Sequence, residues 1–297
     1  MGRSLTLGLA LLMSIFLACG APPATADRAA PAASSVPPSI ATAPAAEDAL
    51  ATAPRHSVEP GPAPERLRVR VLERHPHDPD AFTQGLVWHE DRLYESVGRY
   101  GRSGLRRVDP TTGRVEQHVP LEASLFGEGL ARVGDRLIQL TWKAGLGAVY
   151  DLATLTPVDW VSYDGEGWGL AYDGSDLWMS NGSPRLLRRD PETFAVRDVR
   201  VVTLAGEPLP GLNELEFARD ALYANVWTRD EIVRIDPATG RVTAVIDASG
   251  LLTPRERRRV DVLNGIAYDP RGETFWITGK LWPAMFHVVF EPLTAER

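Results

Sequence analysis

Five short apolar segments built on one formula, a turn sequence that returns about every 40 residues, and the lack of a long amphipathic helix predict an all-β fold. The predicted architecture is a five-bladed β-propeller of four-stranded antiparallel blades. The five segments are Gln84-Gly85-Leu86-Val87, Glu128-Gly129-Leu130-Ala131, Trp168-Gly169-Leu170-Ala171, Asn213-Glu214-Leu215-Glu216 and Asn264-Gly265-Ile266-Ala267. Each opens on a residue able to make contacts or do chemistry, usually continues with Gly, and runs into a short apolar strand. In a propeller the innermost strand of each blade lines a central channel, so the five opening residues are expected to face one small volume.

Ahead of the blades, residues 1–19 read as a bacterial export signal. Arg3 gives a positive start, and residues 5–17 form an apolar stretch too short to span a bilayer. Phe16-Leu17-Ala18-Cys19-Gly20 resembles a lipobox, in which Cys19 is acylated after cleavage, although its Leu stands one place later than usual. The other reading is an ordinary signal peptide cut near Ala21. Residues 20–64 are rich in Ala, Pro, Ser and Thr and poor in large apolar side chains. Such a tract buries too little surface to offset its chain entropy and reads as a disordered tether. Residues 65–297 then form the propeller domain, and the expected location is the cell envelope, in the periplasm or on the outer membrane, or outside the cell.

Within that domain, the first blade starts with Gly85-Leu86-Val87-Trp88 and turns at Glu90-Asp91. Arg92-Leu93-Tyr94-Glu95-Ser96-Val97 returns, and Leu105-Arg106-Arg107-Val108 and Val115-Glu116-Gln117-His118-Val119 follow as third and fourth strands. The last two are joined by Asp109-Pro110-Thr111-Thr112-Gly113. This turn recurs as Asp236-Pro237-Ala238-Thr239-Gly240 and, more weakly, at Asp190-Pro191-Glu192-Thr193-Phe194 and Asp151-Leu152-Ala153-Thr154-Leu155. Asp caps such a turn, Pro presets φ, and Gly supplies the positive φ from which the next strand starts. The last blade has only three strands: Ile266-Ala267-Tyr268, Phe275-Trp276-Ile277-Thr278 and Phe286-His287-Val288-Val289-Phe290. The alternating segment Leu67-Arg68-Val69-Arg70-Val71-Leu72 has no blade of its own. An N-terminal strand completing the last blade would close the ring and hide strand edges.

In an antiparallel hairpin, the start of the first strand and the end of the second lie together. The same step along the chain leads from Glu128 to Trp142 and from Asn213 to Trp227, and in the fifth blade it falls near Lys280. Phe82 and Phe126 stand two residues before their opening residues. One mouth is therefore expected to hold a carboxylate, an ammonium, three amides and several aromatic faces. Singly, each has a plainer reading: a Glu between glycines is a turn residue, a strand-end Trp packs between blades, and Asn bonds to backbone. Their convergence favours a site, because charges in a narrow channel are costly unless paired or used.

Several chemistries are disfavoured. The net charge is −7, and the one basic block, Arg255-Glu256-Arg257-Arg258-Arg259, reads as a solvated loop, so nucleic acid is not an expected partner. Cys19 is the only cysteine, which leaves no disulfide or thiolate metal site in the folded part. The six histidines are scattered, and no nucleophile elbow, phosphate loop or dinucleotide fingerprint appears.

The ordered set Phe82-Thr83-Gln84-Gly85-Leu86, Phe126-Gly127-Glu128-Gly129, Leu140-Thr141-Trp142, Gly167-Trp168-Gly169, Leu212-Asn213-Glu214-Leu215-Glu216, Asn225-Val226-Trp227, Leu263-Asn264-Gly265-Ile266 and Thr278-Gly279-Lys280-Leu281-Trp282 resembles the plant and bacterial type of glutaminyl-peptide cyclotransferase. The likeness covers nearly all of the folded part. It implies a five-bladed propeller and the conversion of an N-terminal glutaminyl residue to pyroglutamate with release of ammonia. By this resemblance Glu128 matches the acid/base carboxylate. Phe82, Gln84, Trp142, Trp168, Asn213, Trp227 and Lys280 match pocket-lining residues, with Phe126, Glu214 and Asn264 as further members. It implies peptides or proteins with N-terminal Gln as substrates, no metal and no organic cofactor. A monomer is expected, touching a membrane only through a lipid on Cys19. Two rival readings remain on the same fold: a metal-dependent lactonase or hydrolase using Glu128, Asn213, Glu214 and Asn264 as ligands, and a non-catalytic envelope protein that binds peptides.

Overall fold

Apolar side chains that alternate with polar ones, punctuated by Asp, Pro and Gly, form strands and tight reversals. The computed structural model describes residues 62–293, and within them the fold is almost wholly β, with one helical turn, α1 (Pro254–Arg257). The export signal, Cys19 and residues 20–61 of the tether lie outside the described residues.

β1 (Glu65–Pro76) comes first. Three separate four-stranded antiparallel sheets follow: β2 (Thr83–His89), β3 (Arg92–Val97), β4 (Gly104–Val108) and β5 (Val115–Pro120); β6 (Gly127–Val133), β7 (Arg136–Thr141), β8 (Leu146–Asp151) and β9 (Pro157–Ser162); then β10 (Leu170–Tyr172), β11 (Leu177–Met179), β12 (Arg185–Arg189) and β13 (Val196–Val201). A small ribbon of β14 (Thr203–Leu204) and β15 (Glu207–Pro208) leads to a fourth group, β16 (Leu212–Ala218), β17 (Ala221–Val226), β18 (Glu231–Ile235) and β19 (Val242–Asp247). The fifth group is β20 (Leu263–Asp269), β21 (Thr274–Gly279) and β22 (Ala284–Pro292). Against β22 lies β1, antiparallel, from Leu67 opposite Pro292 to Pro76 opposite Ala284. β1 thus lies as a fourth strand beside the three of the fifth group. β1 also runs parallel to β19 from Glu65 to Arg68, which joins the fourth and fifth groups into one eight-stranded sheet. No feature of the sequence announced that second pairing.

The turn formula behaves as its chemistry demands. In both strong copies the Asp side chain accepts backbone N–H groups and the terminal Gly takes positive φ, +67° at Gly113 and +74° at Gly240. The two weaker copies make the same turn with Leu155 at +56° and Phe194 at +59°. Both side chains are fully buried, so apolar burial offsets a backbone strain that glycine would avoid.

The core is divided among the junctions between neighbouring groups. Val87 and Leu105 pack with Leu130 and Leu137; Ile138 and Leu140 with Leu177 and Met179; Trp178 and Leu186 with Leu215 and Leu222. Tyr223 and Ile246 pack with Ile266 and Ile277, and Trp276 and Met285 pack with Leu86 and Leu93 of the first group. The first strands touch in the same cyclic order, β2 to β6, β10, β16, β20 and back to β2. Glycine after the opening residue permits this approach: a Cβ would stand 2.5 Å from Leu130 N at Gly85 and 2.0 Å from Asn213 O at Gly169.

Candidate active site

The opening residues owe their direction to irregular register. On β6, Gly127 pairs with Thr141 and Leu130 with Gln139, so Glu128 and Gly129 together face a single residue of β7. The same slip falls at Gln84, at Asn213 and at Asn264. A bulge of this kind re-aims a side chain and ends strand pairing, and here it does so at the heads of four first strands. Polar ties then pin these heads from the neighbouring groups. Ser96 Oγ donates to Glu128 O, Ser180 Oγ to Asn213 O, and Asn264 Nδ2 to Thr83 O at 2.9 Å, while Asn225 Oδ1 accepts from Gly265 N at 2.9 Å.

Glu128 is 5 % exposed, and its Oε1 accepts a 3.0 Å hydrogen bond from Gln84 Nε2. Gln84 Oε1 in turn lies 3.4 Å from Asn264 Nδ2, so one polar chain crosses three first strands. Asn264 Oδ1 is buried without a hydrogen-bond partner, an acceptor left open in a place where that is costly. Burial pushes the Glu128 carboxyl well above its ordinary value. The Lys280 ammonium opposes the shift and Glu166 adds to it. Lys280, 6 % exposed, is lowered by the same burial, against the pull of Glu128 and Asp261. Each charge is thus the other's partial remedy for lost water.

Aromatic rings wall this pair. The Lys280 Nζ stands 5.0 Å from the centroid of Phe82, which meets Phe126 edge-on at 6.2 Å. Phe126 meets Trp142 at 5.7 Å and Tyr100 at 5.3 Å. Further round, Trp168 and Trp227 stand edge-to-face at 5.8 Å, with Trp227 half exposed at the rim. The gap between Trp142 and Trp168 is bridged by Glu166, whose Oε2 accepts both indole N–H groups, at 2.7 and 3.1 Å.

Gln84, Glu128 and Asn264 are thus joined by polar contacts, Lys280, Phe82, Phe126 and Trp142 by ring contacts, and Trp168 with Trp227 reaches them through Glu166. Glu214, buried completely, spends its Oε1 on Leu86 N at 3.2 Å and its Oε2 on Ile266 N at 2.8 Å. It takes the place that glycine holds in the other segments and ties β16 to β2 and β20. Asn213 is buried at the head of β16. Glu166, Tyr100 and Lys143 were not among the sequence candidates. Glu166 had a signal: it precedes Trp168 by the same interval that separates Phe82 from Gln84 and Phe126 from Glu128. A separate hollow of about 390 Å³ is lined at its polar points by Arg132, Asp173, Glu216 and Tyr268, and none of the expected pocket residues lines it. Burial pushes the Glu216 carboxyl up to about 8 there.

Repeated four-stranded antiparallel sheets whose heads carry a buried carboxylate and a buried ammonium are the architecture of a propeller-type protein with a polar site at the strand heads. Kinship narrows the class. The chain matches the glutamine cyclotransferase family over residues 41–290. It is 42 % identical over 233 residues to the glutaminyl-peptide cyclotransferase of Arabidopsis thaliana, across 77 % of this chain and 73 % of that protein. The crystal structure of Myxococcus xanthus glutaminyl cyclase superposes with a TM-score of 0.71 at 38 % identity, covering 77 % of this chain and 99 % of that one. The chain belongs to the glutamine cyclotransferase family.

Proposed function

We propose that the protein converts the N-terminal glutaminyl residue of a peptide or protein into pyroglutamate and releases ammonia, with Glu128 as the acid/base. The observation that carries this reading is a buried carboxylate bonded to Gln84 and drawn to the buried Lys280 ammonium, which sits against Phe82 at one end of a run of aromatic rings. In the reaction the substrate's free α-amine attacks the carbonyl carbon of its own γ-amide. A C–N bond forms, the α-nitrogen gives up a proton, and the old C–N bond breaks as the γ-nitrogen leaves as NH₃. The proton taken from one nitrogen is the proton the other needs, so one carboxylate serves as base and then as acid. A carboxyl raised by burial is a stronger base than an exposed one, which suits the first half of that task.

Because attack is intramolecular, the site's main work is to fold the side chain back and hold it there. The rings of Phe82, Phe126, Trp142, Trp168 and Trp227 supply walls for that curled chain and keep out water that would hydrolyse the amide. Gln84, Asn213 and Lys280 carry the N–H donors suited to the amide oxygen as negative charge grows on it. The test is mass spectrometry on a Gln-initiated peptide incubated with the full chain, beside the same peptide initiated by Ala. Loss of one ammonia from the Gln peptide alone supports the reading, and unchanged masses in both overturn it.

We also infer, from the sequence of residues 1–64, that the protein is exported and tethered through a lipid on Cys19. Palmitate labelling that survives in Cys19→Ser would contradict the lipid.

A further inference from the structure

We propose that Glu166 is a positioning residue for the cyclisation: a single carboxylate oxygen fixes the indoles of Trp142 and Trp168 as adjoining walls of the glutaminyl pocket. The inference rests on the function proposed above and adds a residue that the family resemblance did not include. Trp142 follows the end of β7 and Trp168 precedes β10, and their backbone hydrogen bonds hold the chain without setting how the two side-chain rings turn. The two indoles share Glu166 Oε2 as a partner, at 2.7 Å from Trp142 Nε1 and 3.1 Å from Trp168 Nε1. An indole N–H is a donor with one direction, so an acceptor shared by two of them ties both rings to one point.

The carboxylate itself is held at both ends. Its Oε1 lies 3.5 Å from Lys143 Nζ, and that ammonium sits 3.9 Å from the centroid of the Trp142 ring. Lys143 therefore closes a triangle of ion pair, cation–π contact and indole hydrogen bond. The backbone beneath is equally constrained: Gly167 N donates to Trp142 O at 3.0 Å, and Trp168 N to Ser180 O at 2.9 Å. Burial works against ionisation of Glu166, but the bonds from Trp168 and Trp142 and the Lys143 charge outweigh it and hold the carboxyl below its ordinary value. The same negative charge is one of the influences that raise Glu128.

Two substitutions separate positioning from simple loop stability. Glu166→Ala removes acceptor and charge, whereas Glu166→Gln keeps an oxygen for the indoles and loses only the charge. Misplacement of a substrate by about an ångström costs up to about a hundredfold. We therefore expect kcat/KM for a Gln-initiated peptide to fall about tenfold to a hundredfold in Glu166→Ala. Glu166→Gln should recover most of that loss, with the acid limb of its pH profile moved to lower pH, since a charge that favours protonation of Glu128 is gone. Acrylamide quenching of tryptophan fluorescence should rise in Glu166→Ala and stay near wild type in Glu166→Gln, a readout that needs no activity. Wild-type protein inert towards the peptide would sink the parent function and leave the quenching result to judge the indole lock. An active wild type with Glu166→Ala within twofold of it, or with quenching unchanged, would overturn the positioning role.

Discussion

Burial moves Glu128 and Lys280 in opposite directions, the carboxyl up and the ammonium down, and each opposes the shift of the other. That coupling has a kinetic consequence with a definite sign. A base must be deprotonated, so kcat/KM is expected to rise with pH as Glu128 ionises. Replacing Lys280 with Met removes the cation that favours the ionised form, which raises the Glu128 pKa further. The acid limb of the pH profile should therefore move upward. A limb that stays in place in a folded Lys280→Met protein would uncouple the two residues. At this scale much of the site was legible, because opening residues recur at one position of a repeat. Glu166 was missed because the offset that singled out Phe82 and Phe126 was followed only where it landed on an aromatic residue. The partners of a residue were harder to read than its presence: Glu214 looked like a pocket member, yet its two oxygens bind backbone.

Among the elements, the turns were the most readable part, since Asp, Pro and Gly each enforce a local backbone shape without help from distant residues. Register was hidden. The bulges at Gln84, Glu128, Asn213 and Asn264 depend on which residue of the second strand each one meets, and no local pattern encodes that. The pairing of β1 with β19 was hidden for the same reason. Glu214 shows what the element scale adds. Where glycine lets neighbouring first strands approach, this carboxyl crosses instead and satisfies Leu86 N and Ile266 N. Glu214→Ala should leave both N–H groups buried and unpaired and lower the unfolding free energy by about 2–4 kcal/mol, at about 1–3 kcal/mol for each lost partner less some relaxation. Urea unfolding checks this, and a midpoint equal to wild type would show that the tie contributes nothing.

For the whole molecule, five junction cores in cyclic succession mean that each group is stabilised on two sides. β1 pairs with strands of the fourth and fifth groups and runs on into the first, at the seam between the last group and the first. The seam carries a buried polar cluster. Glu95 Oε1 accepts from Thr83 Oγ1 at 2.7 Å and lies 2.9 Å from His77 Nε2, and Arg106 stands 3.2 Å from its other oxygen as an ion pair rather than an aligned hydrogen bond. His77 Nδ1 reaches Trp282 O at 2.7 Å, which links the segment leading into the first group to the β21–β22 turn of the fifth. Burial opposes ionisation of Glu95, but Arg106, His77 and Thr83 prevail and lower its carboxyl to about 2. A depressed carboxyl contributes stability above its unfolded pKa of about 4.5 and loses it as pH falls towards 2. The melting temperature should accordingly drop over that window, and Glu95→Gln should flatten the drop; an equal slope in both proteins would remove Glu95 from the acid response. The central claim, that repeated strand heads from distant parts of the chain deliver one acid/base group to a curled glutamine, is tested most directly at Glu128. The decisive quantity is kcat/KM of Glu128→Gln on a Gln-initiated peptide, read as ammonia loss, with circular dichroism confirming the native β fold. A fall of about a hundredfold to ten-thousandfold is predicted for loss of a general acid/base, and a folded variant within twofold of wild type would contradict the claim.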